Sequence, residues 1–389
     1  MSDTRFLITG ATGATGSAAA ALLLDRGERV RAFVHREDDR SEALRKRGAE
    51  VVVGDLLDFD AVREALNGVN RAYFVYPIRP GLVQATAQFA QSALEAGVEG
   101  IVNMSQISAR GDAKSHSARE HWLAEQVFDW SGLNVAHVRP TYFAEWLLYL
   151  APMIRQGVMY APFTTGRHAP IAGEDQGRVI VGILEDPEPH RGKVYPLYGP
   201  VELTHDEIAK AVGRVLGREI TYQSMPIEKW AEVVAGASAG RPPRNDAGSL
   251  YSEADRITGR PGSEFLVQHL REVAIDHTNG VFAGTNDFVE KIGGRPPLTV
   301  EAFVARHRDA ASREMSMQNE NASASLASIS EVHELTELGL ATAAAAIRNG
   351  DITSESYSSL GRARRRPSAC CRRRCDEPGG AARLRQIAS

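Results

Sequence analysis

The feature that most constrains this chain is the run Gly10-Ala11-Thr12-Gly13-Ala14-Thr15-Gly16, set between the apolar stretch Phe6-Leu7-Ile8-Thr9 and the Ala/Leu-rich stretch 17–24. Strand, glycine turn and helix in that order make a cradle for a pyrophosphate. Two negative groups need close backbone N–H donors and a helix N-terminus aimed at them, which requires side chains to be absent where the ligand approaches. Gly10, Gly13 and Gly16 supply that absence, and Thr12, Ala14 and Thr15 complete the expected contact set. A bare glycine triplet is weak evidence; the flanking strand and helix give this one its weight.

The end of the second strand reports which dinucleotide fits. An acidic residue about 20 positions after the glycines would bind a free ribose 2′-hydroxyl. After Arg29-Val30-Arg31-Ala32-Phe33-Val34 this chain instead carries His35 and Arg36, groups suited to a 2′-phosphate. NADP(H) is therefore the expected cofactor, with a solvated strand-end cation as the plainer reading of Arg36 and with Glu37 and Asp38 diluting its field. The third strand, Glu50-Val51-Val52-Val53, runs into Gly54-Asp55-Leu56-Leu57-Asp58. Asp55 and Leu56 are placed there for an adenine ring, although a turn and helix cap would use the same aspartates. The fourth, Arg71 to Val75, ends at Tyr76-Pro77-Ile78-Arg79-Pro80, where prolines stiffen a loop at the ligand-binding edge of the sheet.

Strand and helix signals alternate through residue 140, the pattern of an α/β fold with a doubly wound parallel sheet of Rossmann type. Helices are expected at 41–47, 59–66, 84–96 and 117–130, and strands at 100–104, 134–138 and 193–197. Beyond 140 the alternation loosens. Residues 144–175 are rich in aromatics and prolines and read as lining or lid, and Thr204 with Glu207 forms a capping box at a helix start. The expected division is therefore a Rossmann core over 1–140 and a smaller, mostly substrate-binding lobe over 141–310.

The formal charge of −4 gives no reason to expect nucleic acid, and no apolar run is long enough for a membrane span. Strand signal begins right after Met1-Ser2-Asp3-Thr4, which leaves no room for a signal peptide, so a cytoplasmic protein with a small-molecule substrate is expected. All three cysteines, Cys370, Cys371 and Cys375, lie in the last 20 residues. No histidine pair has metal-ligand spacing, so no metal is expected, and no G-x-S-x-G elbow suggests a serine hydrolase.

Taken together, Gly10–Gly16, Val30–Arg36, Gly54–Asp58, Ser131-Gly132-Leu133 with Val138–Phe143, and Tyr198–Thr204 make the chain resemble the NmrA-like atypical short-chain dehydrogenase/reductases over about residues 4–310. The resemblance implies either an NADPH-dependent oxidoreductase acting on quinones, enones, imines or azo compounds, or an NADP-binding regulator without turnover. Catalytic short-chain dehydrogenases use a serine, a tyrosine and a lysine four residues after the tyrosine. Alignment through Glu125 and Ser131-Gly132 puts Ser105, Ser117 and His121 at those three positions, so the Tyr-x-x-x-Lys pair is missing. His121 would suit acid–base work near its unperturbed pKa of about 6.5. Without the pair, hydride transfer to a conjugated acceptor, which can take its proton from water, is the expected chemistry. Tyr142, Phe143 and Trp146 are the expected pocket lining.

Past residue 310 the composition changes. Residues 311–330 read as a flexible linker. The stretch 331–354 resembles the N-terminal helix of amidase-signature hydrolases, without their catalytic residues. Residues 361–389 hold nine arginines against Asp376 and Glu377, the character of an out-of-frame or read-through tail. The whole of 331–389 is expected to be mostly disordered.

Overall fold

The computed structural model describes residues 4–230 and 262–308. The linker, the amidase-like stretch and the arginine-rich tail lie outside the described residues.

Seven parallel strands form one sheet in the order β3-β2-β1-β4-β5-β6-β8: β1 (Arg5–Thr9), β2 (Arg29–Val34), β3 (Glu50–Val53), β4 (Arg71–Phe74), β5 (Gly100–Met104), β6 (Val135–Pro140) and β8 (Val194–Leu197). The near-continuous apolar character of the central strands follows from burial on both faces. One face is covered by α1 (Ala14–Asp25) and α8 (Gly173–Glu185), which pack on each other. The other is covered by α3 (Phe59–Leu66), α4 (Leu82–Ala96) and α5 (His116–Ser131). Helix α8 approaches α1 closely because small residues meet there: a Cβ on Gly177 would sit 2.7 Å from the Ala18 Cβ. The connection directions reverse between β1 and β4, and a crevice opens at the carboxyl ends of those strands, where such sheets bind ligands.

The expected helix bounds shift by one or two residues. Helix α2 (Asp39–Lys46) starts early because Asp38 caps it, accepting from the Arg40 and Ser41 backbone N–H groups. The capping box forms as expected, with Thr204 and Glu207 starting α9 (His205–Leu216). Residues 144–175 are less irregular than expected. They contain the short helices α6 (Trp146–Tyr149) and α7 (Ala151–Arg155), then β7 (Val158–Ala161), which pairs in parallel with β9 (Thr221–Ser224). With α9 and α10 (Gly262–Thr278), this pair builds a smaller lobe around Phe163, Val273, Ala274 and Phe282. Among the described residues no helix is long and apolar enough to cross a membrane.

Candidate functional site

The glycine run closes the turn from β1 to α1. Gly10 takes φ 56°, a left-handed conformation that glycine adopts without strain, and a Cβ there would meet Val75 Cγ1 at 2.6 Å. The Gly13 N–H donates to the Gly10 carbonyl at 2.8 Å, and Gly13 is the N-cap of α1. No side chain caps that end and its first turn holds no acidic residue. The first-turn N–H groups, which lack intrahelical acceptors, therefore face outward with the positive end of the helix dipole. The turn is tied to β4 by Thr9 and Thr15. Thr9 Oγ1 donates to the Tyr73 carbonyl and accepts from the Val75 N–H, and Thr15 Oγ1 shares a 2.8 Å hydrogen bond with the Tyr73 hydroxyl.

Above the turn lies a cavity of about 440 Å³. Of the expected contact residues, Gly10, Thr12, Gly13, Ala14, Thr15, His35, Arg36, Leu56, Tyr76, Pro77 and Phe143 line it. Phe33, Asp38, Arg40 and Arg79 also line it, and sequence reasoning missed them. The charges expected to dilute Arg36 are engaged elsewhere: Glu37 pairs with Arg45, and Asp38 caps α2 and binds Arg40 at 2.5 Å. Arg36 is exposed and makes no ion pair among the described residues. Arg40 is committed, because it also donates to the Thr12 carbonyl at 3.2 Å.

Two expected cofactor contacts, and the expected pocket residues Tyr142 and Trp146, lie outside the lining. Gly16 faces inward, where a Cβ would stand 2.3 Å from the Gly10 carbonyl oxygen, so its smallness lets helix and strand meet. The Asp55 carboxylate accepts from the Leu57 N–H at 2.9 Å and holds the turn after β3, with burial raising its pKa. Tyr76 is buried, and its hydroxyl donates to the Pro80 carbonyl, which fixes the loop after β4.

Ser105, Ser117 and His121 also fall outside the residues lining this cavity. All three are buried. Gln106 Nε2 donates to Ser117 Oγ at 3.2 Å, joining the end of β5 to α5. Ser105 Oγ and His121 Nδ1 have no hydrogen-bond partner among the described residues. Burial, with a smaller contribution from His269 on α10, pushes the His121 pKa down to about 3. The acid–base value expected from sequence is therefore overturned: this imidazole is neutral at physiological pH. The signal sequence reasoning lacked was α10, a helix that follows His121 by about 140 residues.

Tyr142 and Trp146 pack together with ring centroids 5.8 Å apart, and Tyr142 borders an aromatic cluster that includes Phe163 at 5.5 Å. Three histidines join this cluster, although their spacing in sequence follows no ligand pattern. His168, His205 and His277 are buried, and one ring nitrogen of each lies within 4.8 Å of the other two. Glu145, also unexpected, accepts from the Gly173 N–H at 2.8 Å; burial raises its pKa.

The geometry has counterparts among known proteins. The NmrA-like family model matches residues 2–254. The chain is 31% identical over 304 residues to the NAD(P)H azoreductase of Xenophilus azovorans, covering 77% of this chain and 97% of that one. It is 31% identical over 274 residues, 67% of this chain and 94% of the relative, to the (4-alkanoyl-5-oxo-2,5-dihydrofuran-3-yl)methyl phosphate reductase of Streptomyces griseus. Its fold matches that of the NADPH-dependent quinone oxidoreductase of Escherichia coli in complex with NADPH, with a TM-score of 0.63 at 23% identity, over 78% of this chain and 99% of that one. A family model spanning more than half the chain, over the same strands and glycine turn that build the cavity, makes this protein a member of the NmrA-like family.

Proposed function

We propose that the chain is an NADPH-dependent oxidoreductase that reduces a small conjugated acceptor such as a quinone, enone, imine or azo compound. The observation that carries this reading is the cavity with the uncapped N-terminus of α1 on one side and, on its rim, Arg36, which makes no ion pair among the described residues. The relatives named as an NAD(P)H azoreductase and a (4-alkanoyl-5-oxo-2,5-dihydrofuran-3-yl)methyl phosphate reductase support it.

The residues present fit the cofactor. The first-turn N–H groups of α1 would donate to the pyrophosphate and Arg36 to the 2′-phosphate. Phe33 and Leu56 would meet the adenine; Tyr76, Pro77 and Phe143 would border the nicotinamide end. When bound, NADPH supplies the hydride. The protein's part is then to orient the acceptor and exclude water, which alone can lower a barrier by several kcal/mol. Burial keeps His121 neutral at physiological pH, so it is not a strong acid. Ser105 Oγ and His121 Nδ1 are buried polar atoms with no partner among the described residues; both stand outside the residues that line the cavity, so no contact with the acceptor is assigned to them, and Gln106 holds Ser117. A conjugated acceptor spreads the incoming electron pair and takes its proton from solvent, so no side-chain acid is required.

The missing Tyr-x-x-x-Lys pair favours a second reading, an NADP(H)-binding regulator without turnover. One experiment decides between them. The purified full chain, given NADPH and a panel of quinones, enones, imines and azo dyes, is expected to lose the dihydronicotinamide absorbance with at least one class, with the His121→Ala variant as comparison. Tight NADPH binding by calorimetry with no oxidation across the panel would establish the regulator instead.

A further inference from the structure

We propose that His168, His205 and His277 form a binding site for one divalent d-block cation of the zinc and cobalt class, in the smaller lobe and separate from the dinucleotide cavity. The three residues come from three segments: the loop after β7, the first residue of α9, and the last turn of α10. Their rings converge without any neighbouring sequence motif. His168 Nδ1 and His277 Nε2 are 2.9 Å apart, and a nitrogen of His205 completes a set within 4.8 Å.

Those separations suit a metal with small adjustment. Three nitrogens at zinc–imidazole bond lengths in a tetrahedral arrangement stand about 3.3 Å from one another. The close pair would open by roughly 0.4 Å and the widest would close by at most about 1.5 Å, movements within reach of imidazole ring rotation. Neutral imidazole is the form that ligates. At present one proton must sit between His168 and His277, and ligation moves it to that ring's other nitrogen. Those other nitrogens, His168 Nε2 and His277 Nδ1, are buried with no partner among the described residues and carry the protons once the facing pair ligates, so the site's geometry rests on the facing nitrogens alone. Phe163 stacks on His205 at 4.5 Å, and Tyr142, Tyr222 and Phe282 enclose the group, an apolar shell of the kind that limits solvent access at metal sites. Three protein ligands leave a fourth position for water or another small ligand.

The competing account is a hydrogen-bonded aromatic cluster with no affinity for metal. The full-length chain is stripped with chelator, dialysed and titrated with Co²⁺. Because Cys370, Cys371 and Cys375 are a second ligand set, the titration is also run with all three changed to Ser. Expected are one tightly held equivalent, a visible tetrahedral d–d band without thiolate charge transfer, displacement of that band by Zn²⁺, and a Tm raised by Zn²⁺. His205→Gln should abolish the band and the Zn²⁺-dependent rise in Tm, while NADPH affinity reports that the fold is intact. His277→Cys should keep one equivalent and add a thiolate band, which keeps the test sound if a glutamine variant folds poorly. Absence of the band in the stripped wild type, or one equivalent surviving in His205→Gln, would overturn the proposal.

Discussion

Replacing Arg36 with Ala is the sharpest probe of how this cavity selects its cofactor. Arg36 is exposed, lines the cavity and has no carboxylate partner among the described residues, so its charge is available to a ligand. A charge-assisted hydrogen bond contributes about 1.5–3 kcal/mol, and solvent exposure places this one at the lower end. About 1.5 kcal/mol corresponds to a roughly tenfold weaker Kd for NADPH. NADH lacks the phosphate and should bind within about twofold of the wild-type value, since no interaction of that size is removed. Arg40→Ala is the control. Arg40 is held by Asp38 and donates to the Thr12 carbonyl, so its loss loosens the glycine turn and weakens both cofactors alike. Calorimetric titration of wild type and both variants with both nucleotides gives the four differences needed. Raising the ionic strength should narrow the preference for NADPH in wild type and leave it unchanged in Arg36→Ala. Equal losses for NADPH and NADH in Arg36→Ala would refute the assignment of the 2′-phosphate to this guanidinium.

Two further outcomes follow from packing and burial. Gly16→Ala puts a Cβ against the backbone of Gly10, where neither atom can swing aside, so stability should fall by about 2–3 kcal/mol, read as a Tm lower by roughly 5 °C or more; an unchanged Tm would show that the turn yields easily. Burial lowers the pKa of His121 to about 3 and of His269 to about 4, whereas both rings titrate near 6.5 once unfolded. Each group's contribution is complete above about pH 6.5 and is lost as the pH falls toward 4 and 3, because only the unfolded chain takes up the proton. Between pH 7 and 5.5 the loss is about 1.3 kcal/mol per ring, so urea midpoints should drop over that range, and His121→Gln should lessen the drop by one ring's share, since burial also holds His168, His205 and His277 low; a flat wild-type profile would refute the burial argument.

The fold was legible because its signals are local. Apolar runs of four to six residues, each followed by a glycine or aspartate turn and a helix, set the strand order of a doubly wound sheet with little help from distant contacts. The cavity floor was legible for the same reason, since the β1 turn and the ends of β2, β3 and β4 each announce themselves within a few residues. Gly16 shows the limit of such reading. A motif supplies three glycines without saying which faces the ligand and which faces the sheet, and that depends on how closely α1 sits on β1.

What was not legible depends on segments that meet only after folding. His121 looks like a surface-helix histidine until α10 packs on α5 and removes its solvent, and that burial changes its chemistry more than its identity does. An imidazole that stays neutral at working pH cannot serve as the proton source that a lysine-supported tyrosine provides. An acceptor that takes its proton late from water, as a conjugated system does, suits a chain without that pair. If a simple aliphatic ketone were turned over as fast as a quinone, with a rate rising toward low pH around pH 6.5, His121 would have to be exposed and charged in the working enzyme, and this account of the chemistry would be wrong.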